Sequence, residues 1–341
     1  TLHNLSRRPV EDLDEELLAF SKTRPLGLIL PSLFSELEGA ALPLIVDELK
    51  HVPYLNQVVI GLDRANESEY RHALDFFAPL PQHHRVFWND GPRLQAIDQK
   101  LQAFDLAPKE PGKGRNVGYC MGYVLASNKA ESIALHDCDI TTYTRELLAR
   151  LIYPVANPRF NYEFCKGYYA RVANGKINGR VSRLLISPLL KALKTSIGHT
   201  EYLNYMDSFR YPLAGEFSFR RDVLNDIRIP SDWGLEIGVL SEMHRNYATN
   251  RLCQVDIAEN YDHKHQKLSL DDDADGLSKM SIDIAKALFR KLATQGEVFS
   301  TEAFRSIKAT YYRLALDTVE TVSYTKLTLP TKKKENDERG G

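Results

Sequence analysis

No stretch of this 341-residue chain approaches the ~20 consecutive apolar residues that a bilayer-spanning helix needs, so a membrane-embedded protein is excluded. An excess of either charge is also missing: 44 Lys and Arg stand against 45 Asp and Glu, a formal charge of −1. A nucleic-acid binder working by phosphate neutralisation would carry a clear basic surplus. Cysteine is scarce, with Cys120, Cys138, Cys165 and Cys253 and no Cys-x-x-Cys pair among them. Neither a zinc knuckle nor a dithiol redox motif is written, and a reduced cytoplasmic protein is the expectation. Residues Thr1–Lys22 are polar and acidic, without the apolar core of a secretory signal, although the start at Thr rather than Met leaves the native beginning open. The Walker pattern Gly-x-x-x-x-Gly-Lys-Ser/Thr is absent, which counts against an ATPase or kinase. What remains is ordinary globular composition, at a length that suits one large domain or two intimately packed ones.

Two textures alternate along the first half. Short apolar runs occur at Leu26–Leu30, Gln57–Leu62, Arg85–Trp88 and Ser132–His136. Segments of helical spacing lie between and after them, at Glu36–His51, Asn66–Phe77, Gly91–Phe104 and Asn116–Lys129. This alternation implies right-handed βαβ units and a mainly parallel sheet, with ligands beyond the carboxyl ends of the strands. The second half is less regular. It offers strands at Phe164–Val172, Gly215–Arg220 and Cys253–Tyr261, a turn at Asn174-Gly175, a basic amphipathic segment at Arg180–Lys194, and helices at Glu236–Tyr247 and Ser278–Leu292. Residues Ser323–Gly341 have few apolar side chains and a Lys332-Lys333-Lys334 run, and are expected to be disordered. The opening of that tail resembles translated sequencing-adapter read-through, so it is set aside as non-native.

Five constellations carry the chemistry. In Ile133-Ala134-Leu135-His136-Asp137-Cys138-Asp139 a buried strand delivers two carboxylates to one face at its carboxyl end. Neighbouring carboxylates repel unless a cation lies between them, and hard oxygens suit Mg²⁺ or Mn²⁺. The alternative is that these aspartates cap the helix starting near Tyr143. Pro111-Gly112-Lys113-Gly114-Arg115 reads either as a loop that admits phosphate at a helix start or as a plain turn with a solvated lysine. After the last strand, Asn260-Tyr261-Asp262-His263-Lys264-His265 offers an imidazole to a metal and basic groups to phosphate, or is simply surface. Asn178-Gly179-Arg180-Val181-Ser182-Arg183 is a basic patch with a hydroxyl, suited to a small phosphorylated or carboxylated acceptor or to a solvated helix face. Pro212–Glu216 and Asp232–Glu236 set a glycine beside a carboxylate, as a sugar site or a turn would.

Taken in order, the series resembles the retaining nucleotide-sugar glycosyltransferases of the GT-A type, specifically the glucosyl-3-phosphoglycerate synthases (glycosyltransferase family 81). That family carries Pro-Gly-Lys-Gly, Asp-Ser-Asp, Gly-Arg-Val-Thr, Pro-Leu-Ser-Gly-Glu, Gly-Val-Glu-Ile-Gly and a terminal His motif. Here they stand as Pro111–Gly114, Asp137-Cys138-Asp139, Gly179–Ser182, Pro212–Glu216, Gly234–Gly238 and Asp262-His263. No single motif is specific, but the ordered set is, over residues 26–290. The resemblance implies an α/β, Rossmann-like fold with a mainly parallel sheet and an acceptor-binding second half. It implies a helical extension at 1–24, a nucleotide-sugar half at 25–150, an acceptor half at 151–300, a C-terminal helix at 301–322 and the tail at 323–341.

Residue by residue, the resemblance puts Pro31 and Leu33 at the nucleotide, Lys113 near nucleotide and diphosphate, and Asp137 by ribose and metal. It gives Asp139 and His263 to the metal, Leu213 and Glu236 to the transferred sugar, and Gly179, Arg180, Ser182 and His265 to the acceptor. Lys113, Asp137 and Glu236 form the catalytic group, Mg²⁺ or Mn²⁺ is the cofactor, and the partners are UDP-glucose and 3-phosphoglycerate. A homodimer without membrane or nucleic acid, making a precursor of the compatible solute glucosylglycerate, is implied as well.

Two departures stand out. Leu33-Phe34-Ser35-Glu36 replaces the family's Asn-Glu, and Gly61-Leu62-Asp63-Arg64 replaces its Asp-x-Gly-Ser. Ile60–Arg64 and Ser231–Gly234 look more like mannosylglycerate synthases, so a mannosyl- or glucosylglycerate synthase using free glycerate is the alternative enzyme. A sugar nucleotidyltransferase would need a glycine-rich loop after the first strand, which Pro31–Gly39 does not supply. A non-catalytic nucleotide-sugar-binding protein is the alternative of another class.

Overall fold

The computed structural model describes all residues except 108–111, 171, 174–175, 178, 264–275 and 329–341. Pro111, Asn174, Gly175, Asn178, Lys264 and His265 therefore lie outside the described residues.

After helix α1 (Val10–Ser21), the first apolar run forms β1 (Leu26–Leu33), followed by the short helix α2 (Phe34–Leu37) and α3 (Ala41–Leu49). The single helix expected over Glu36–His51 is interrupted at Glu38-Gly39-Ala40, where the Gly39 amide turns back to the Glu36 carbonyl. Strand β2 (Leu55–Asp63) leads into α4 (Glu67–Phe77) through a capping box, in which Asn66 and Glu69 each accept the other's backbone N–H. Then come β3 (His84–Trp88), α5 (Pro92–Gln102), α6 (Lys113–Ser127), β4 (Ser132–Leu135) and α7 (Arg145–Ala156). These strands lie in the order β3-β2-β1-β4, all parallel. Burial on both faces explains why β1 and β2 read as continuous apolar runs.

The second half extends the same sheet. Strand β5 (Phe164–Tyr169) is followed by the small hairpin β6 (Val172–Ala173) and β7 (Lys176–Ile177). A π-helical turn, Ser182–Ile186, opens α8 (Ser187–Ile197), and α9 (Glu201–Ser208), β8 (Phe217–Arg220), α10 (Val223–Asp226) and α11 (Leu235–Asn246) follow. Strand β9 (Leu252–Ala258), α12 (Gly276–Thr294) and α13 (Thr301–Thr328) complete the described chain. Helix α13 thus continues past Ser323, where the sequence suggested that disorder begins.

The sheet order continues as β4-β8-β5-β9, with β8 antiparallel to both neighbours and β9 parallel to β5. The reversal of β8 decides where the site lies. Leu135 at the end of β4 faces Phe217 at the start of β8, so residues 213–216 arrive beside 136–139. The chain leaving β9 reaches the same edge. One apolar layer packs α1, α3, α4 and α7 on Leu28, Leu30, Val58 and Ile60. The other packs α6, α8, α9, α11 and α12 on Ile29, Val59, Ile133 and Leu135, as strand alternation requires.

His136 follows β4 in this interior, fully buried, with Nε2 3.1 Å from the Tyr143 hydroxyl. Burial pushes its pKa down to about 4, against the smaller upward pull of Asp137. The unfolded chain takes up a proton near pH 6.5 while the native ring stays neutral to about pH 4. Stability from this residue is therefore complete above pH 6.5 and drains away as the pH falls toward 4. Moving from pH 7 to pH 5 is expected to cost about 2 kcal/mol through His136, read from urea midpoints. His136→Gln is expected to remove most of that dependence.

Candidate functional site

Beyond β4 the chain keeps the alternation of a strand. Asp137 and Asp139 are partly exposed at the sheet edge, while Cys138 between them is buried in the α7-side layer. Neither aspartate caps α7: its N-cap is Thr144, and its Arg145 amide is taken by the Glu48 carboxylate.

Lys113, the first residue of α6, is not solvated. Its Nζ lies 2.6 Å from Asp137 Oδ1 and 2.8 Å from Glu236 Oε1, in the first turn of α11. Burial disfavours the ammonium, but the two carboxylates outweigh it and hold the Lys113 pKa well above the ordinary lysine value. Burial likewise disfavours the Asp137 carboxylate, and Lys113 reverses this, so the Asp137 pKa is lowered. The flanking glycines have a reason that the sequence did not reveal. A Cβ at Gly112 or Gly114 would run into the backbone of Pro230–Asp232, and the Arg115 amide donates to the Ser231 carbonyl at 3.0 Å. The small residues thus admit a neighbouring chain segment, which brings α11 and Glu236 within reach of Lys113. Gly215 works the same way on the opposite side, because a side chain there would overlap the Asp137 carboxylate.

Asp139 meets His263, with Oδ2 3.5 Å from Nδ1. The arm carrying His263 is zipped to the segment after Asp139. Ile140 bridges to His263, the Thr141 amide donates to the Asp262 carbonyl at 2.9 Å, and the Asp262 amide donates to Thr142 Oγ1 at 3.0 Å. The other Asp139 oxygen, Oδ1, is buried without a hydrogen-bond partner. An orphaned hard oxygen beside an imidazole nitrogen fits a divalent cation. Among the described residues no group of three or more His, Cys, Asp or Glu could hold a metal, and Asp139 and His263 are the pair they offer to one. That suits Mg²⁺ or Mn²⁺, which complete their shells with water and substrate phosphate oxygens.

On the other side, Pro31 and Leu33 at the end of β1 lie opposite Gly61 and Asp63 of β2. The buried Asp63 carboxylate pairs with Arg115 at 3.1 Å, and Arg115 lies 3.6 Å from Asp90. No role for Arg115, Asp63 or Asp90 was legible in the sequence, although two of them fall within quoted motifs. Gly179 adopts φ 86°, Arg180 is exposed, and the buried Ser182 hydroxyl has no hydrogen-bond partner. No hydrogen bond or ion pair among the described residues joins these three to the charged cluster. Behind the cluster lies a second polar group, of which only Glu216 and Tyr261 fell within quoted motifs. It comprises Lys166, buried and donating to the Ala214 carbonyl, and Glu216, which accepts from Tyr169 and Tyr261.

Solved structures share this architecture. Mannosyl-3-phosphoglycerate synthase from Rubrobacter xylanophilus aligns with a TM-score of 0.63 at 19% identity, over 88% of this chain and 83% of that one. Glucosyl-3-phosphoglycerate synthase from Mycobacterium tuberculosis, in complex with Mn²⁺, UDP-glucose and phosphoglyceric acid, aligns at 0.58 with 20% identity, over 82% and 84%. The fold is therefore the GT-A type of the nucleotide-sugar glycosyltransferases. No protein-family model matches the chain. Among curated relatives, glucosyl-3-phosphoglycerate synthase of Persephonella marina is 47% identical over 320 residues, 94% of this chain and 79% of that one. That of Methanococcoides burtonii is 38% identical over 314 residues, 91% and 76%. The chain belongs to the glucosyl-3-phosphoglycerate synthase family. It is a glycosyltransferase, which sets aside the nucleotidyltransferase and non-catalytic readings.

Lys113→Met leaves two carboxylates facing each other without a counter-charge. It is expected to cost on the order of 3 kcal/mol in urea unfolding and at least ~100-fold in turnover. Adding Asp137→Asn should restore much of the stability and none of the activity, a split that one double-mutant cycle measures.

Proposed function

We propose that this protein transfers glucose from an NDP-glucose, UDP-glucose for preference, to the hydroxyl of 3-phosphoglycerate, with retention at the anomeric carbon. The observation that carries the reading is Lys113, largely shielded from solvent and held between Asp137 and Glu236, next to the Asp139–His263 pair. The family supports the sugar and the acceptor, and the ligands named for the solved relatives support the nucleotide and the cation.

In this reading Pro31 and Leu33 flank the nucleotide, and Lys113 turns its ammonium toward the diphosphate as negative charge builds on the departing UDP. A divalent cation bound by Asp139 and His263 would neutralise that same leaving group. Asp137 holds Lys113 in place and accepts from the ribose. Glu236 accepts from hydroxyls of the glucose, which Leu213 packs against. Arg180, Ser182, Gly179 and His265 bind the acceptor and present its hydroxyl on the face that UDP vacates. Entry on that face gives retention without a protein nucleophile. The four cysteines, all buried and unpaired, suit the reducing cytoplasm. The exposed stripe Tyr312, Leu316 and Val319 on α13 is the apolar surface that a homodimer would cover.

Nucleotide release is the test, with UDP-glucose or GDP-mannose as donor and 3-phosphoglycerate or glycerate as acceptor. Release that requires UDP-glucose, Mg²⁺ or Mn²⁺ and 3-phosphoglycerate is expected. Faster release with free glycerate or GDP-mannose would move the protein to the mannosylglycerate-type alternative, which the Ile60–Arg64 stretch favours. Arg180→Ala is expected to raise KM for 3-phosphoglycerate ~10-fold or more and to affect glycerate less, as loss of a charged hydrogen bond does. Equal losses for both acceptors would remove the phosphate from Arg180.

A further inference from the structure

We propose that Glu216 is a positioning residue for this reaction: through the Tyr261 hydroxyl it fixes the arm that presents His263 to Asp139. The inference rests on the cation reading above for its purpose, and on geometry alone for its mechanism.

Glu216 is fully buried, and among the described residues it makes no ion pair, Lys113 acting on it only at longer range. Lys166, on neighbouring β5, gives its ammonium to the Ala214 carbonyl. The two Glu216 oxygens instead accept from two tyrosines, Tyr261 at 2.6 Å and Tyr169 at 2.9 Å, whose rings stack with centroids 3.5 Å apart. A buried carboxylate whose hydrogen bonds come from neutral hydroxyls is a costly way to fill an interior, where apolar side chains would serve stability better. What it achieves is a junction. Tyr169 stands on β5, Tyr261 on the arm leaving β9, and Glu216 in the turn that presses Gly215 against Asp137.

That turn is gripped from below at two more points. Lys166 holds the Ala214 carbonyl, and the Gly167 amide donates to the Glu216 carbonyl at 2.9 Å. Glu216 is therefore a fixed point, and Tyr261 transmits its position to the arm. Two residues further on, His263 is reached, its ring 6.0 Å from that of Tyr261. The bonds of Thr141 and Thr142 to Asp262 hold the arm from the side, and the Glu216–Tyr261 bond holds it from beneath. Partners behind a metal ligand commonly set its affinity by 10- to 100-fold, on the order of what is expected here.

The test uses the full chain and three variants, Tyr261→Phe, Glu216→Gln and Tyr169→Phe. Tyr261→Phe removes one hydroxyl and keeps the stacked ring, so it folds where Glu216→Gln does not and then carries the comparison with Tyr169→Phe. Hydrogen exchange of the Thr141 and Asp262 amides, without added metal, reads the arm directly. Exchange at least ~10-fold faster in Tyr261→Phe and Glu216→Gln, and near wild type in Tyr169→Phe, is expected. Titration with MnCl₂ in the presence of UDP should show the same order, with Mn²⁺ bound ~10-fold or more weakly in the first two. Unchanged exchange in Tyr261→Phe, or an equal effect of Tyr169→Phe, overturns the positioning role. A wild-type chain that binds no Mn²⁺ overturns the cation reading instead, and the exchange data still decide the role of Glu216.

Discussion

One ammonium holds this site together. Lys113 begins α6, Asp137 follows β4 and Glu236 begins α11, and their charges meet within 2.6–2.8 Å. Each is at least partly withdrawn from water, which costs a lone charge more than a paired one, so each helps to fix the other two. The backbone has to cooperate. The glycines on either side of Lys113 let Pro230–Asp232 come close enough for α11 to deliver its carboxylate. An ion pair of this kind adds little net stability over apolar packing. In the proposed reaction it would keep a basic group stationary at the sheet edge, where the donor's diphosphate gains most from charge that need not reorganise.

Topology supplies the rest. In a purely parallel sheet each strand sends only the loop that follows it to the carboxyl edge. Because β8 runs backwards, the turn that precedes it also arrives there, and Gly215 comes to lie on Asp137. Strand β9 then returns to the common direction and adds the His263 arm. Five stretches distant in sequence thus share one edge. The second polar group of Lys166, Glu216, Tyr169 and Tyr261 occupies the interior just behind them and joins the later strands to each other.

The parts of this arrangement differ in how plainly the sequence states them. The parallel half was legible because strands buried on both faces read as unbroken apolar runs bounded by helical periodicity. The Asp137–Asp139 pair was legible because alternation puts both on one side and Cys138 on the other. The glycines around Lys113 were legible as glycines and not for their reason, since close approach of residues 230–232 is a tertiary fact. Lys166 was hidden for a simpler cause: a lysine within a strand looks like a solvent-facing residue, whereas all six residues of β5 are buried. Glu216 was visible as part of a motif, but its two tyrosine partners lie 47 and 45 residues away along the chain. The continuation of α13 past Ser323 was missed because composition there favours disorder, while the helix continues from a segment that packs on α8.

The reversed strand also has a meaning for the order in which the molecule comes into being. A chain growing from its N-terminus can pair β1 to β4 from nearby segments, but β4 waits for a partner more than 80 residues downstream. Its aspartates and Lys113 stay without Glu236 until α11 exists, and Asp139 without His263 until β9 has docked on β5. Long-range pairings of this sort close late in folding. The charged edge cannot be complete before β9 is made, so a chain ending ahead of Glu236 holds Lys113, Asp137 and Asp139 without their later partners.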